Sequence, residues 1–199
     1  MTDTAPAPLD PARTALLVMD YQQAIVGMID DSDGLVARAA EAIDLVRERG
    51  GHVGYVRVAF TAADLQNIPA TSRMGARIAS GPEAFMDDSP TTQIDERVAP
   101  RDGDIIVRKT RVGAFSTTDL ADQLAQRGVD TLILAGISTS GVVLSTVRDG
   151  SDRDYALYVL SDATADRDDA VHACLIEQVF PRQADVITVA ELDGLLPAA

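Results

Sequence analysis

Leu132-Ile-Leu-Ala-Gly-Ile-Ser-Thr-Ser-Gly-Val-Val-Leu-Ser-Thr146 decides the fold. Apolar Leu132 to Ala135 predict a buried strand, and Gly136 frees the backbone at its end. Ser138, Thr139 and Ser140 offer oxygens suited to capping a helix, and Gly141 lets a ligand or a neighbouring backbone come close. A helix over about residues 141–152 follows. A strand that turns directly into a helix is the unit that carries sites in open α/β sheets, and the first amides of such a helix suit an anion or oxyanion.

The same alternation runs outward in both directions. Upstream, Thr14 to Met19 is a continuous apolar run ending at Asp20, as in a strand covered on both faces. Residues 32–49 predict a helix with Leu35, Val36, Ala39, Ala40, Ile43 and Val46 on one face, closed by Gly50-Gly51. Residues 52–60 give a second strand with His52 at its entry, and residues 104–109 a third, ending at Lys109. A helix over residues 116–127 leads into the opening stretch. Beyond it come a fifth strand at 156–160, a helix from 167 to about 179, a sixth strand at 184–188 and a closing helical turn at 191–196. This order predicts a three-layer αβα, Rossmann-like fold with a six-stranded, mostly parallel sheet. Residues 13–199 form a single domain in this reading, and residues 1–12, with Pro6, Pro8 and Pro11, a disordered lead-in.

Composition narrows the function. The 31 acidic against 17 basic residues give a net charge of −14, which disfavours nucleic acid and anionic membrane surfaces as partners. No apolar run approaches the roughly 20 residues that cross a bilayer, and the N-terminus lacks the basic start and apolar stretch of a signal peptide. The one cysteine, Cys174, rules out an internal disulfide and a multi-thiolate metal site, and fits a reducing, cytoplasmic setting. It shares a helical stripe with Val171, Leu175 and Val179, which predicts a core position; His172 falls off that stripe and reads as a surface residue.

Two charged residues stand at strand ends, Asp20 after the first and Lys109 after the third, on the edge where an open parallel sheet places chemistry. An aspartate in that position more often ends a turn, and a lysine more often faces water, so neither decides the matter alone. Between them, residues 61–100 are broken by four prolines and two glycines, and read as an excursion with short helices, a lid or binding loop. Within it Arg73 and Arg77 lie four apart, so on a helix they share a face that can bind a carboxylate, although a solvated face is the commoner outcome.

Taken together these residues resemble the isochorismatase-like hydrolase superfamily, which includes nicotinamidases and carbamoylsarcosine amidohydrolases. Its members carry an Asp after the first strand, a Lys after the third followed by Phe and Thr-x-Leu, then Gly-x-x-Thr-x-x-Cys-Val-x-x-Thr. Here those positions read Asp20, Lys109, Phe115, Thr118-Asp-Leu120 and Gly136-Ile-Ser-Thr-Ser-Gly-Val142-Val-Leu-Ser-Thr146. The resemblance implies that Asp20 moves a proton, that Lys109 stabilises charge beside it, and that the amides of Ser138 and Val142 hold an oxyanion, with a cis peptide between Ile137 and Ser138. Arg111, Phe115 and Thr139 are further candidates for substrate contact.

The departure is at position 142, where the amidases have a nucleophilic cysteine and this chain has valine. Cys174 lies too far along the chain to replace it, and no histidine base accompanies the nearby hydroxyls. The superfamily's true isochorismatases also lack the thiol, and hydrolyse a vinyl ether with the Asp as general acid and water as nucleophile. The resemblance thus implies a hydrolase of a small, carboxylate-bearing molecule without a cysteine nucleophile, or alternatively a silent relative that binds a small molecule or a protein. No cofactor and no metal are expected, since residues 61–66 hold only Asp64 where the nicotinamidase branch places metal-binding histidines. A homodimer or homotetramer is expected from the resemblance.

Overall fold

The computed structural model describes residues 8–197. Strands β1 (Thr14–Met19), β2 (His52–Val58), β3 (Ile105–Lys109), β4 (Thr131–Ile137), β5 (Ala156–Ala165) and β6 (Asp185–Ile187) form one sheet in the order β3-β2-β1-β4-β5-β6. Every pairing is parallel, so the mostly parallel sheet expected from the sequence is wholly parallel among these strands. The order reverses direction between β1 and β4, and a cleft opens above the carboxyl ends of strands at such a switch point.

The helices are α1 (Gln23–Val26), α2 (Ser32–Glu48), α3 (Ala62–Gln66), α4 (Arg73–Ala79), α5 (Leu120–Gln126), α6 (Leu144–Asp152), α7 (Asp169–Cys174) and α8 (Val189–Leu195). Alternation along the strands divides them between the faces. Leu16 and Val18 of β1, with Ile133 and Ala135 of β4, pack against α2 and α8. Ala15, Leu17, Met19, Leu132 and Leu134 point the other way, toward Leu120 and Leu124 of α5 and Val147 of α6. Both faces being covered is why β1 is buried along its whole length.

Several boundaries differ from the sequence reading. The helix expected from residue 116 begins only at Leu120, because Thr117 takes a left-handed backbone (φ 65°) and Thr118 Oγ1 donates to Ala114 O, folding residues 114–119 into a turn. β5 continues past Leu160 to Ala165, since after a register shift between Leu134 and Gly136 its polar end pairs again with β4, Gly136 with Thr164 and Ile137 with Ala165. The helix over 167–179 divides into α7 and a π-helical turn, Leu175–Val179. Only Leu175 of its expected apolar stripe is buried; Cys174 is exposed, which overturns its reading as core. Of the lead-in, residues 1–7 lie outside the described residues. The rest is not loose: Leu9 is buried, its N–H bonds Leu195 O, and Pro11–Arg13 forms a 3-10 turn.

The excursion after β2 carries α3, with a Thr61–Asp64 capping box, and α4, capped by Ser72. It has its own small core of Val58, Phe60 and Ile78, with Leu65, Ile68, Met74 and Phe85 against it. Gly75 lets the two short helices meet, because a Cβ there would stand 2.3 Å from Ile68 Cγ2. The ion pair of Arg108 on β3 with Asp64 (2.7 Å), and that of Arg57 on β2 with Asp87, tie the excursion to the sheet edge.

Candidate active site

The ends of β1, β3 and β4 meet over one cavity of about 390 Å³. Asp20, Lys109, Ser138 and Val142 line it, with Ile25, Met28 and Ile29 on one side and Met74, Arg77, Ile78 and Phe85 of the excursion above. Asp20 takes a left-handed backbone (φ 59°), a conformation aspartate accepts more readily than most residues, and its N–H bonds Val56 O at 2.8 Å.

Lys109 stands on β3, two strands from β1. At about 4.8 Å per strand that separation is roughly 10 Å, so a long side chain has to cross above β2 to reach Asp20. Its Nζ donates to Asp20 Oδ2 at 2.8 Å, to Val112 O at 2.9 Å and to Arg111 O at 3.3 Å. Three acceptors satisfy the three ammonium hydrogens. The pair is withdrawn from water, with Lys109 2% and Asp20 5% exposed. Oδ1 of Asp20 is also buried and has no hydrogen-bond partner among the described residues. Burial pushes the Asp20 carboxyl up from its ordinary value, and outweighs the opposing pull of Lys109.

The opening stretch of the sequence forms β4, a π-helical turn (Thr139–Val143) and then α6. The peptide between Ile137 and Ser138 is cis, as the resemblance implied. Gly136 acts through size rather than conformational freedom: a Cβ there would lie 2.9 Å from Val143 Cγ2 and 3.2 Å from Met19 Cβ. The three hydroxyls do not cap the helix. Ser138 makes no capping bond, Thr139 Oγ1 lies 2.7 Å from His172 Nδ1, and Ser140 gives both its N–H and its Oγ to Asp166 Oδ2, at 2.8 and 2.7 Å.

Of the residues singled out in the sequence, Asp20, Lys109, Ser138 and Val142 come together. Arg111, Phe115 and Thr139 do not line the cavity. The Arg111 guanidinium bonds the carbonyl of Thr110, and what Arg111 brings to the centre is its own carbonyl on Lys109. Phe115 stacks on Tyr155 with centroids 5.9 Å apart, under the Arg153 guanidinium. Thr139 is fully buried against His172, so both residues shape the frame of the turn.

Three other residues carry roles that periodicity does not signal. Gln22 is buried and fully bonded: Nε2 donates to Val58 O and Thr92 O, and Oε1 accepts from Val58 N, fixing the end of β2 beside Asp20. Asp166 holds Ser140; burial would push its carboxyl up, but hydrogen bonds from Ser140 and from the Asp168 and Arg167 amides outweigh it and hold it low. Arg167 lines the cavity with Arg77, and neither forms an ion pair among the described residues. Arg73, one turn before Arg77, does not line it.

A doubly wound parallel sheet with a buried Asp–Lys pair beside a strand-to-helix turn at its switch point defines a hydrolase of the isochorismatase-like fold. The family model described as "Isochorismatase domain" matches residues 14–191, and the chain belongs to that family. It is 34% identical over 174 residues to the uncharacterized isochorismatase family protein YwoC of Bacillus subtilis, covering 87% of this chain and 89% of that one. It is 28% identical to a maleamate amidohydrolase of Pseudomonas putida, covering 88% and 83% of the two chains. The structure of an isochorismatase family protein from Burkholderia thailandensis superposes with a TM-score of 0.82 at 26% identity, over 96% of this chain and 99% of that one.

Proposed function

We propose that this hydrolase acts on a small carboxylate-bearing molecule by direct attack of water, with Asp20 as general acid and base, and that Val142 stands where thiol members of the family have their nucleophile. The observation that carries this reading is the buried Asp20–Lys109 pair facing a cavity whose lining holds no cysteine among the described residues. A carboxyl pushed up from its ordinary value keeps a proton to give, as a general acid requires. On a vinyl ether, Asp20 would protonate the terminal vinyl carbon, water would add to the resulting oxocarbenium carbon, and the hemiketal would part into an alcohol and a carbonyl compound. On an activated amide, the Asp20 carboxylate would take a proton from the attacking water as the tetrahedral oxyanion forms, then return it to the nitrogen, which leaves as ammonia or an amine while the carbon becomes a carboxylate carbon.

On the amide, the N–H groups of Ser138 and Val142 would hold the oxyanion; on the vinyl ether, Lys109 would keep the Asp20 carboxylate stable once it has given its proton, until the added water returns one. Arg77 and Arg167, free of internal partners, would take the substrate carboxylate. The apolar lining from Ile25, Met28, Met74 and Phe85 fits a compact carbon skeleton.

The test is turnover of a panel of small carboxylates carrying a vinyl ether or an amide, maleamate among them, since a relative of this chain is named for that substrate. Turnover by the wild type should fall about 10²- to 10⁴-fold in Asp20→Asn and be unchanged in Cys174→Ser. Equal turnover in Asp20→Asn, or dependence on Cys174, would overturn the mechanism. Carboxylate binding without turnover by any panel member would favour the silent binding module, and amidase activity gained in Val142→Cys would support the assignment of that position.

A further inference from the structure

The turn that bears Ser138 and Val142 is held by two side chains from one segment, the stretch running from the end of β5 into α7. Asp166 Oδ2 takes the N–H and Oγ of Ser140, and His172 Nδ1 lies 2.7 Å from Thr139 Oγ1. The residues they grip are neighbours within a single π turn, closed on itself by bonds from the N–H groups of Gly141 and Val143 to Ser138 O. Thr139 has no exposed surface and His172 is half-buried. Neither residue lines the cavity around Asp20, and the backbone between them and Ser138 joins their contact to it.

We propose that His172 is a positioning residue: through its hydrogen bond to Thr139 it sets the turn that presents the Ser138 and Val142 amides to the cleft, and the setting depends on the protonation of its ring. The proposal rests on the reading of those amides as an anion hole. The physical basis is the direction of one hydrogen bond. A neutral imidazole can accept from the Thr139 hydroxyl at Nδ1 or, in the other tautomer, donate to it; the imidazolium can only donate. When the ring takes a proton, Thr139 has to accept, and its own hydrogen must find another acceptor inside a fully buried site. The backbone adjusts because the hydroxyl cannot reach water.

The charged groups around the ring come from three places. Asp166 of the loop and Asp169 of α7 draw a proton toward it, and Arg167 and, from the segment between α1 and α2, Asp30 line the same recess. Burial pushes the imidazole below its ordinary value against the pull of the two aspartates, so the neutral ring is the working form near pH 7. The chain has only one other histidine, His52, whose Nε2 lies 3.3 Å from Ala12 O at the opposite, amino-terminal end of β2. A histidine transition sensed at the turn therefore has one source.

The test is an NMR titration of the full chain from pH 8 to 5, following both imidazoles and the backbone amides of residues 138–143. His172 should titrate below the ordinary imidazole value, and the turn amides should move with its midpoint. In His172→Gln these movements should be lost, and movements that persist there with the same midpoint would overturn the proposal. Thr139→Val should leave the imidazole titrating with the turn amides silent. Turn amides that ignore the His172 midpoint, or that follow it unchanged in Thr139→Val, would overturn the proposal. Maleate added at fixed pH reads the anion hole separately. Shifts at Ser138 and Val142 with no coupling to His172 would overturn the positioning role alone, whereas coupling without maleate shifts would overturn the anion-hole reading and leave the coupling standing.

Discussion

The floor of the cleft and its cover are built on opposite physical terms. The floor consists of Asp20, Lys109 and the turn at residues 138–142, set at the ends of strands buried on both faces and bonded almost to completion. The cover, from residue 61 to Phe85, is made of five- and seven-residue helices with a small core of their own, and it presents Arg77 and Met74 over the cavity. Helices this short owe their stability to packing and to caps rather than to their own length. The floor can therefore keep one geometry across relatives, while the cover can change its residues without disturbing the sheet. On the proposed reading, chemistry belongs to the first and the choice of substrate to the second.

The sharpest way to break this contrast is to remove a floor charge. Lys109→Met keeps the length of the side chain but leaves the Asp20 carboxylate buried without its partner. Removing one member of a buried ion pair costs about 3–5 kcal/mol, against about 0–1 kcal/mol for an exposed pair. Urea denaturation of Lys109→Met should show a loss in the first range, and Arg13→Ala, whose partner Asp130 is half-exposed, a much smaller loss. The double variant Asp20→Asn with Lys109→Met should recover most of the difference, because neither charge is then left alone. A Lys109→Met loss no larger than that of Arg13→Ala would mean that the floor is not the rigid half.

Removing either cation that lines the cavity should have the reverse signature. Arg77→Ala and Arg167→Ala each take away a charge-assisted hydrogen bond to the substrate carboxylate, about 1.5–3 kcal/mol, or roughly 10- to 100-fold in affinity. Both side chains are exposed and form no internal ion pair, so the unfolding midpoint should stay where it is. Isothermal titration with a small dicarboxylate such as maleate reads the first quantity, and a thermal melt the second. A stability loss without an affinity loss would assign the two arginines to structure.

The strand ends of the floor and the short-helix excursion above it were legible in the sequence, and the side-chain partners around them were not. Asp20 and Lys109 end apolar runs, and a charged residue that terminates a buried parallel strand is marked by the abrupt change in pattern. The strand-turn-helix at 132–146 was marked likewise. What periodicity does not encode is which side chain meets which across the chain. Thr139, Phe115 and Arg111 belong to the right segments but turn toward His172, Tyr155 and the Thr110 carbonyl instead of the cavity. Cys174 sits on an apolar stripe and is nonetheless exposed, as is Val171, so of that stripe only Leu175 is buried. Asp166 and Arg167 lie past the apolar part of β5, where the polar run Ser161-Asp162 reads as an ending; pairing with β4 carries the strand on to Ala165.

The smallest effect separates the two regions by sign. Asp20 has a folded pKa raised above its unfolded value, so the folded state holds that proton more tightly. Its contribution to stability is fully present below the unfolded pKa, about 3.9, and is lost as pH rises through the folded value. Asp64, in the cover, is held below its ordinary value, first by the Thr61 amide and then, against burial, by the Thr61 hydroxyl and Arg108; its contribution is present above the unfolded pKa and is lost as pH falls through the folded value. Urea midpoints measured from pH 3 to 8 should therefore show the wild type losing ground to Asp20→Asn as pH rises from about 4, with a slope of at most about 1.4 kcal/mol per pH unit. Against Asp64→Asn the wild type should lose ground only toward the acid end, and by less, since that pair is partly exposed and screened by solvent. Curves that run parallel for Asp20→Asn would mean that water reaches the floor, and a carboxyl so exposed could not keep the proton that the proposed general acid has to deliver.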